Sequence, residues 1–193
     1  DLGILIDSSN SIEKHGRGNF RRVLEFVKRL VSTFHVSPRR ARIGLIVYSS
    51  RSYLVGGFRR YRNLRSVLQA IKRIRYIRGG TYTGKAMKYA LRKLFSRRAG
   101  YHHARVRLFR SSRKGAAKIL VMITDGISQD RVTTPALRLK KMGVVIFSVG
   151  VGKRYRLKQL MQIASRPRLV FTAPFRALGP LVRVLKQKAC RGE

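Results

Sequence analysis

Acidic residues are scarce in this chain, and their scarcity sets its physical character. Only 7 Asp and Glu residues stand against 45 Lys and Arg, which gives a formal net charge of +38 over 193 residues. Such an imbalance is typical of disordered chains, but hydrophobic residues make up 44% of the sequence, as in folded domains. We therefore expect a folded domain with a basic surface.

Cysteine and long apolar runs are also scarce. Cys190 is the single cysteine, which excludes an internal disulfide framework. Two interpretations of Cys190 stay open: an unpaired surface thiol, or one half of a disulfide whose partner lies outside this segment. No stretch reaches the roughly 18 consecutive apolar residues of a membrane-spanning helix.

Short apolar runs alternate with segments of helical periodicity along the whole chain, without a linker or an internal repeat. Several runs are apolar on both faces, as in strands of a buried parallel sheet. The sequence therefore predicts one α/β domain over 1–193, with a doubly wound, mostly parallel central sheet flanked by helices on both faces. We predict strands over 2–6, 42–48, 52–55, 118–124, 144–149 and 169–172, and helices over 19–34, 63–74, 83–95, 135–142, 156–164 and 180–189.

Polar side chains follow two of the predicted strands and one loop. Asp7-Ser8-Ser9-Asn10-Ser11 comes directly after the first strand, and Asp125-Gly126 comes directly after the strand 118–124. Thr81 follows two glycines at the start of a helix. Taken singly, the first pattern is typical of a helix N-cap and Asp-Gly of a turn. Together they predict a site of hard oxygen ligands at one sheet edge, suited to Mg²⁺ or Mn²⁺.

These motifs and their flanking residues resemble the von Willebrand factor A family, most of all its extracellular-matrix members such as the matrilins and the A domains of non-fibrillar collagens. The likeness covers essentially the whole chain. It is carried by ILIDSSNSI, FVKRLV, RIGLIVYSS, GGTYTGKAM, ILVMITDGISQD, GVVIFSVGVG and KQKAC.

The resemblance implies a metal-ion-dependent adhesion site in a secreted, non-enzymatic matrix protein. A carboxylate of a protein ligand would complete the metal's coordination. Cys190 resembles a C-terminal family cysteine that commonly pairs with one just before the first strand, a position not included in this sequence. By position, Ser9, Ser11 and Thr81 would supply hydroxyl ligands, Asp7 and Asp125 would bind directly or through water, and Thr83 and Gly126 would lie next to these ligands.

The charge departs from what is usual in this family. We hypothesise that a natural scaffold has been recharged with Lys and Arg while the two acidic metal-site positions were spared. This hypothesis requires the basic residues to lie at exposed positions. The cationic field should weaken metal binding without abolishing it, because salt screens it beyond about 8–10 Å.

An alternative is a nucleic-acid- or heparin-binding protein whose activity is electrostatic and metal-independent. Polyanions should bind such a surface non-specifically, through counterion release. Aromatic residues within the basic segments, such as Tyr61, would stack on bases. The candidate contacts are Arg59, Arg60, Arg62, Arg105, Arg107, Arg110, Arg113 and Lys114.

Enzymatic alternatives have little support in the sequence. Residues 79–86 nearly match the phosphate loop G-x-x-x-x-G-K-[ST], but Ala86 offers no hydroxyl for Mg²⁺, and a helix rather than a strand precedes them. The paired His102-His103 is interpreted as part of a solvated basic loop, since adjacent histidines rarely bind one metal ion without further ligands. We therefore expect no enzyme.

Overall fold

A computed structural model of the chain describes residues 1–14, 16–95, 113 and 115–190. The strands are β1 (Leu2–Asp7), β2 (Ile43–Tyr48), β3 (Ser52–Gly56), β4 (Lys118–Thr124), β5 (Val144–Val151) and β6 (Val170–Ala173). The helices are α1 (Asn10–Lys14), α2 (Asn19–Ser32), α3 (Leu64–Lys72), α4 (Thr83–Ala90), α5 (Thr133–Lys141), α6 (Leu157–Ile163) and α7 (Leu181–Cys190).

The six strands form one sheet in the order β3-β2-β1-β4-β5-β6. All neighbours pair in parallel except β3, which runs antiparallel to β2 at one edge. The predicted doubly wound α/β fold is therefore confirmed. Its connections reverse direction between β1 and β4, and such a switch point is where open α/β sheets bind ligands.

Helices cover both faces of the sheet because its central strands are apolar on both. Every residue of β1 is buried. Ile4 and Ile6 belong to the core on the side of α2, α3 and α7, whereas Leu5 belongs to the core on the side of α4, α5 and α6. Successive side chains of a strand point to opposite faces, so each run fills two cores. Within the described residues, no helix has the length and apolar character needed to cross a membrane.

Basic side chains lie almost entirely outside these cores. Among the described Lys and Arg residues, Arg42 alone is buried, with 6% of its surface exposed. Its Nε and Nη2 donate to the two carboxylate oxygens of Asp1 at 2.8 and 2.6 Å. This bidentate pair compensates the one buried basic charge, so the described residues meet the requirement of the recharged-surface hypothesis, which stays a hypothesis.

The predicted helix 83–95 differs from the structure in its second half. The α-helix ends at Ala90, and Leu91–Phe95 form a π-helical turn. This turn presses Leu94 against the sheet: a methyl group built on Gly44 would lie 2.7 Å from the Leu94 Cδ2. Apolar periodicity cannot separate the two helix types, because both carry Leu94 and Phe95 into the core. The short helix α1 was not predicted either, since five residues show no periodicity.

The start of α4 is capped from a distant part of the chain. Asp130, in the loop after β4, accepts hydrogen bonds from the backbone N–H groups of Gly84 at 2.8 Å and Lys85 at 2.7 Å. These donors lack partners within the helix, and a carboxylate there also complements the helix dipole. Gly84 allows this close approach, because a methyl group at its position would lie 2.3 Å from the carbonyl oxygen of Arg131. The loop after β4 and the first turn of α4 therefore form one packed unit.

Replacing Gly84 by alanine should destabilise the domain. The added methyl group meets a backbone carbonyl that cannot move freely, and overpacking of this kind costs about 1–3 kcal/mol. Gly57→Ala is the matched control, since nothing lies within 4 Å of the methyl group it adds. Urea unfolding should show a lower midpoint for Gly84→Ala and little change for Gly57→Ala. Equal midpoints for the two variants would contradict the packing described here.

Candidate metal site

Two buried carboxylates meet at the switch point of the sheet. Asp7 is the last residue of β1, and Asp125 directly follows β4, the strand paired with β1. Their exposed fractions are 0% and 3%. Parallel strands place their carboxyl ends at the same edge, so the two acids converge there as the sequence predicts.

Asp7 is fixed through both of its carboxylate oxygens. The backbone N–H of Ser9 donates to Oδ1 at 2.9 Å, and the hydroxyl of Thr124 donates to Oδ2 at 2.6 Å. Thr124 was missed by the sequence analysis because it ends an otherwise apolar strand. Its position one residue before Asp125 is the only signal that would have pointed to it.

The two serines connect to Asp125 through a chain of hydroxyl groups. Ser11 Oγ donates to Asp125 Oδ1 at 2.7 Å, and Ser9 Oγ lies 2.9 Å from Ser11 Oγ. Because a serine hydroxyl has one proton, Ser9 is the donor to Ser11. Together with the Ser9 N–H bond to Asp7, these contacts link four of the five predicted ligands by direct hydrogen bonds.

Thr81 and Thr83 make different contacts near the site. A methyl group built on Gly126 would lie 3.2 Å from Ser11 Oγ and 3.5 Å from Thr81 Oγ1, so both hydroxyls border the space that this glycine leaves open. Thr83 Oγ1 instead lies 3.2 Å from the buried Tyr48 hydroxyl. The structure therefore brings Thr81 next to Ser11, while the observed side-chain contact of Thr83 is with Tyr48.

The loop before Thr81 is tied to the Asp-x-Ser-x-Ser segment. Asn10 donates its backbone N–H to Gly79 O at 2.9 Å and accepts from the Gly79 N–H through Oδ1 at 3.1 Å. The Tyr76 hydroxyl donates to Ser9 O at 2.8 Å. These contacts hold the two ligand-bearing segments together. Residues 73–82 join α3 to α4 without a strand, which also separates this loop from a phosphate loop.

The electrostatics of the site favour the binding of a cation. Burial raises the pKa of the Asp7 carboxyl, and burial together with the Asp7 charge raises the pKa of Asp125 to about 7. No group of three or more His, Cys, Asp or Glu residues that would hold a metal is found in the described part of the chain. Two carboxylates with three hydroxyls fit a hard divalent ion that keeps some of its waters, so the residues present fit the expected metal.

Two residues predicted to contact a polyanion, Tyr61 and Arg113, are not available for this role. Tyr61 is 4% exposed and packs in the core, so its ring is not available to stack on bases. Arg113 directs its guanidinium inward, to the carbonyl oxygens of Arg39 and Arg40, with its Nε 3.4 Å from an Asp1 oxygen. A half-buried side chain held by these acceptors is not free for a polyanion.

The remaining basic candidates fall into two groups. Arg59, Arg60 and Arg62 are exposed on the segment between β3 and α3. The other candidates, together with His102-His103, lie outside the described residues: they are Arg105, Arg107, Arg110 and Lys114.

Comparison with known proteins decides the family. Residues 1–179 match the model of the von Willebrand factor type A domain. The chain belongs to this family. Vitrin of Homo sapiens is 36% identical over 167 residues, 86% of this chain and 22% of that protein. Matrilin-1 of Gallus gallus is 33% identical over 193 residues, 98% of this chain and 36% of that protein. This von Willebrand factor type A domain therefore spans only a minor part of either relative's length.

A solved structure shares the fold. Proximal thread matrix protein 1 from the mussel byssus, with zinc occupied MIDAS motif, superposes with a TM-score of 0.87 at 24% identity. The match covers 98% of this chain and 48% of that one. MIDAS denotes the metal-ion-dependent adhesion site, and the zinc is a property of the mussel protein.

The raised pKa values predict a characteristic pH dependence without metal. A carboxyl whose pKa is raised on folding stabilises the protein at pH values below its unfolded pKa, and this contribution is lost as the pH rises through the folded pKa. In EDTA, the free energy of unfolding of the wild type should therefore fall relative to that of Asp125→Asn between about pH 4 and 7. Urea titrations across this range measure the difference, in which the titrating groups that do not interact with Asp125 cancel. Parallel pH profiles would contradict the raised pKa.

Proposed function

We propose that this domain is a non-enzymatic protein-binding module of the extracellular-matrix type that uses a divalent metal. Asp7, Ser9, Ser11, Thr81 and Asp125 would bind Mg²⁺ or Mn²⁺. The observation that carries the proposal is the pair of buried carboxylates joined to hydroxyl groups at the switch point of the sheet. Buried carboxylates are costly unless a positive charge compensates them, and the hydroxyls add neutral oxygen ligands.

The bound ion would supply a positive charge and an open coordination position for a carboxylate of the ligand. The protein's own residues prepare that position. Thr124 and the backbone of Ser9 orient Asp7, while Ser11 orients Asp125. Gly126 keeps the space beside Ser11 and Thr81 open. A preorganised set of ligands of this kind reduces the cost of ordering them on binding.

The relatives support the setting of this proposal. Vitrin and matrilin-1 are each several times longer than the match, and the zinc-occupied mussel protein is named for a thread matrix. We propose that this domain likewise belongs to a longer, secreted matrix protein. Cys190 is exposed at the end of α7 and is therefore accessible to a disulfide partner outside this segment.

Divalent metal should raise the thermal stability of the wild type. A ligand that binds only the native state stabilises it by RT ln(1 + [L]/Kd), about 2.7 kcal/mol at a concentration of 100 Kd. The midpoint of thermal unfolding in moderate salt should rise with Mg²⁺ or Mn²⁺ and should not respond in Asp125→Ala.

Asp130→Asn is the matched control for this experiment. It also removes an acid from the loop after β4, but that acid caps α4 and accepts from Ser128, and it forms no hydrogen bond with Ser9 or Ser11. Its starting midpoint should fall while its response to metal persists. The proposed metal site would be overturned if neither cation shifted the unfolding midpoint of the wild type, or if the shift persisted in Asp125→Ala.

Metal-independent polyanion binding is the second candidate, and the distribution of charge favours it. Every described Lys and Arg except Arg42 reaches solvent. Among the described acids, Glu25 alone is exposed, and it pairs with Lys28 at 2.7 Å. A surface of this kind attracts polyanions from all sides and carries no sequence preference of its own.

Binding of a short DNA duplex should therefore depend steeply on salt and not on divalent metal. Log Kd measured by fluorescence anisotropy should rise linearly with log [NaCl], because the DNA releases counterions. EDTA and Asp125→Ala should leave the slope unchanged, and unrelated sequences should bind alike. One preferred sequence that survives near-physiological salt would indicate true nucleic-acid recognition instead.

A further inference from the structure

A cavity of about 700 Å³ opens directly beside Asp125. Its walls come from the start of α2, from the loop after β5 and from the loop after β6. Lys153 and Arg154 contribute from the loop after β5, and Phe175 and Arg176 from the loop after β6. One wall thus belongs to the proposed metal site, and the rest is a separate set of side chains that the metal does not need.

The lining of this cationic cavity is strongly one-sided in charge. Lys153, Arg154 and Arg176 are all exposed. Asp125 is the single acid among the lining residues, and its Oδ1 accepts the Ser11 hydroxyl. In the described part of the chain, the three cations form no ion pair with any carboxylate. They are therefore available to an anionic group from outside.

The two loops that carry these cations are held to each other. Gly152 donates its backbone N–H to Ala173 O at 3.0 Å. The backbone of Gly152 has a φ of 81°, in the left-handed region that favours glycine. A methyl group there would lie 2.8 Å from the Phe175 ring. The floor of the cavity is thus a packed surface between two fixed loops.

Three other basic cavities lack this combination. One, between α2 and the loop after β6, includes Glu25, whose charge offsets part of its basic lining. The other two, one beside α3 and one between α4, α5 and the β2–β3 turn, contain no residue of the proposed metal site. Of these four, only the cationic cavity joins a metal-site residue to unpaired cations.

We propose that this cavity binds a second acidic side chain of the same protein ligand whose first carboxylate reaches the metal. The inference rests on the proposed function and deepens it: the partner is a protein segment with two acidic residues a few positions apart. An extended chain advances about 3.3–3.6 Å per residue, so a short spacing carries the second side chain from the metal into the adjoining cavity. Three cations facing one carboxylate supply the charge complementarity.

The test compares two fluorescein-labelled peptides of about ten Gly and Ser residues. One peptide carries a single Glu, and the other carries a second Glu about three positions further on. Fluorescence anisotropy is measured with Mn²⁺ and with EDTA, in about 150 mM NaCl so that long-range attraction is screened. With Mn²⁺, the second Glu should tighten binding to the wild type about tenfold, as several weak ion pairs together allow.

The pocket variant combines Lys153→Ala, Arg154→Ala and Arg176→Ala. It should bind both peptides with equal affinity and should still be stabilised by Mn²⁺, at least as strongly as the wild type, because none of these residues is a proposed metal ligand. A retained cooperative thermal transition also shows that the variant is folded.

The control variant removes the same number of exposed charges at the opposite edge of the sheet, before β2 and at the end of α5. It combines Arg39→Ala, Arg40→Ala and Lys141→Ala. It should keep the advantage of the second Glu in full.

The outcomes separate this inference from the proposed function. If neither peptide shows Mn²⁺-dependent binding, the proposed function fails and the inference fails with it. If both peptides bind with Mn²⁺ but equally tightly, only the inference is overturned. An advantage that shrinks equally in the pocket and control variants also overturns it, because attraction by the whole surface then explains the result.

Discussion

Two carboxylates buried side by side are the constraint on which this structure depends. Asp7 and Asp125 stand at the ends of adjacent parallel strands, where apolar packing on both faces excludes water from them. Burial alone would favour their neutral forms, and the charge of Asp7 reinforces this effect at Asp125. The hydrogen bonds from Ser9, Ser11 and Thr124 reduce the cost but bring no positive charge. The sheet, the switch point and the flanking loops together form a buried acidic site. A bound divalent cation would reduce the electrostatic cost of its two carboxylates.

Five of the six described acids are placed where a basic residue would fail. Asp1 compensates the buried Arg42, and Glu13 accepts the backbone N–H groups of Gly18 and Phe20 at the start of α2. Backbone donors and buried cations need an acceptor, which Lys and Arg do not provide. This pattern is what selective recharging of a surface would leave behind, and a natural polyanion-binding member would show it as well. The acids with such structural contacts are Asp1, Asp7, Glu13, Asp125 and Asp130.

The sequence predicted the fold and the convergence of the site because both follow from short-range rules. Apolar runs gave the strands, and the carboxyl ends of parallel strands necessarily meet at one edge. Contacts between distant segments escaped it. Thr124 and Asp130 act on residues far along the chain, on Asp7 and on the start of α4. The prediction that Tyr61 stacks on bases was wrong. Its basic neighbours in sequence suggest a surface position, but its burial depends on tertiary packing.

The capping of α4 by Asp130 has a mechanical consequence. The loop that begins with Asp125 is bound to the first turn of α4 through the hydrogen bonds that Asp130 accepts. The backbone N–H of Gln129 also donates to Thr81 O at 2.8 Å. Two proposed ligands from segments more than forty residues apart in sequence therefore move as one body. A displacement of Asp125 would therefore be carried to the first turn of α4 through these hydrogen bonds.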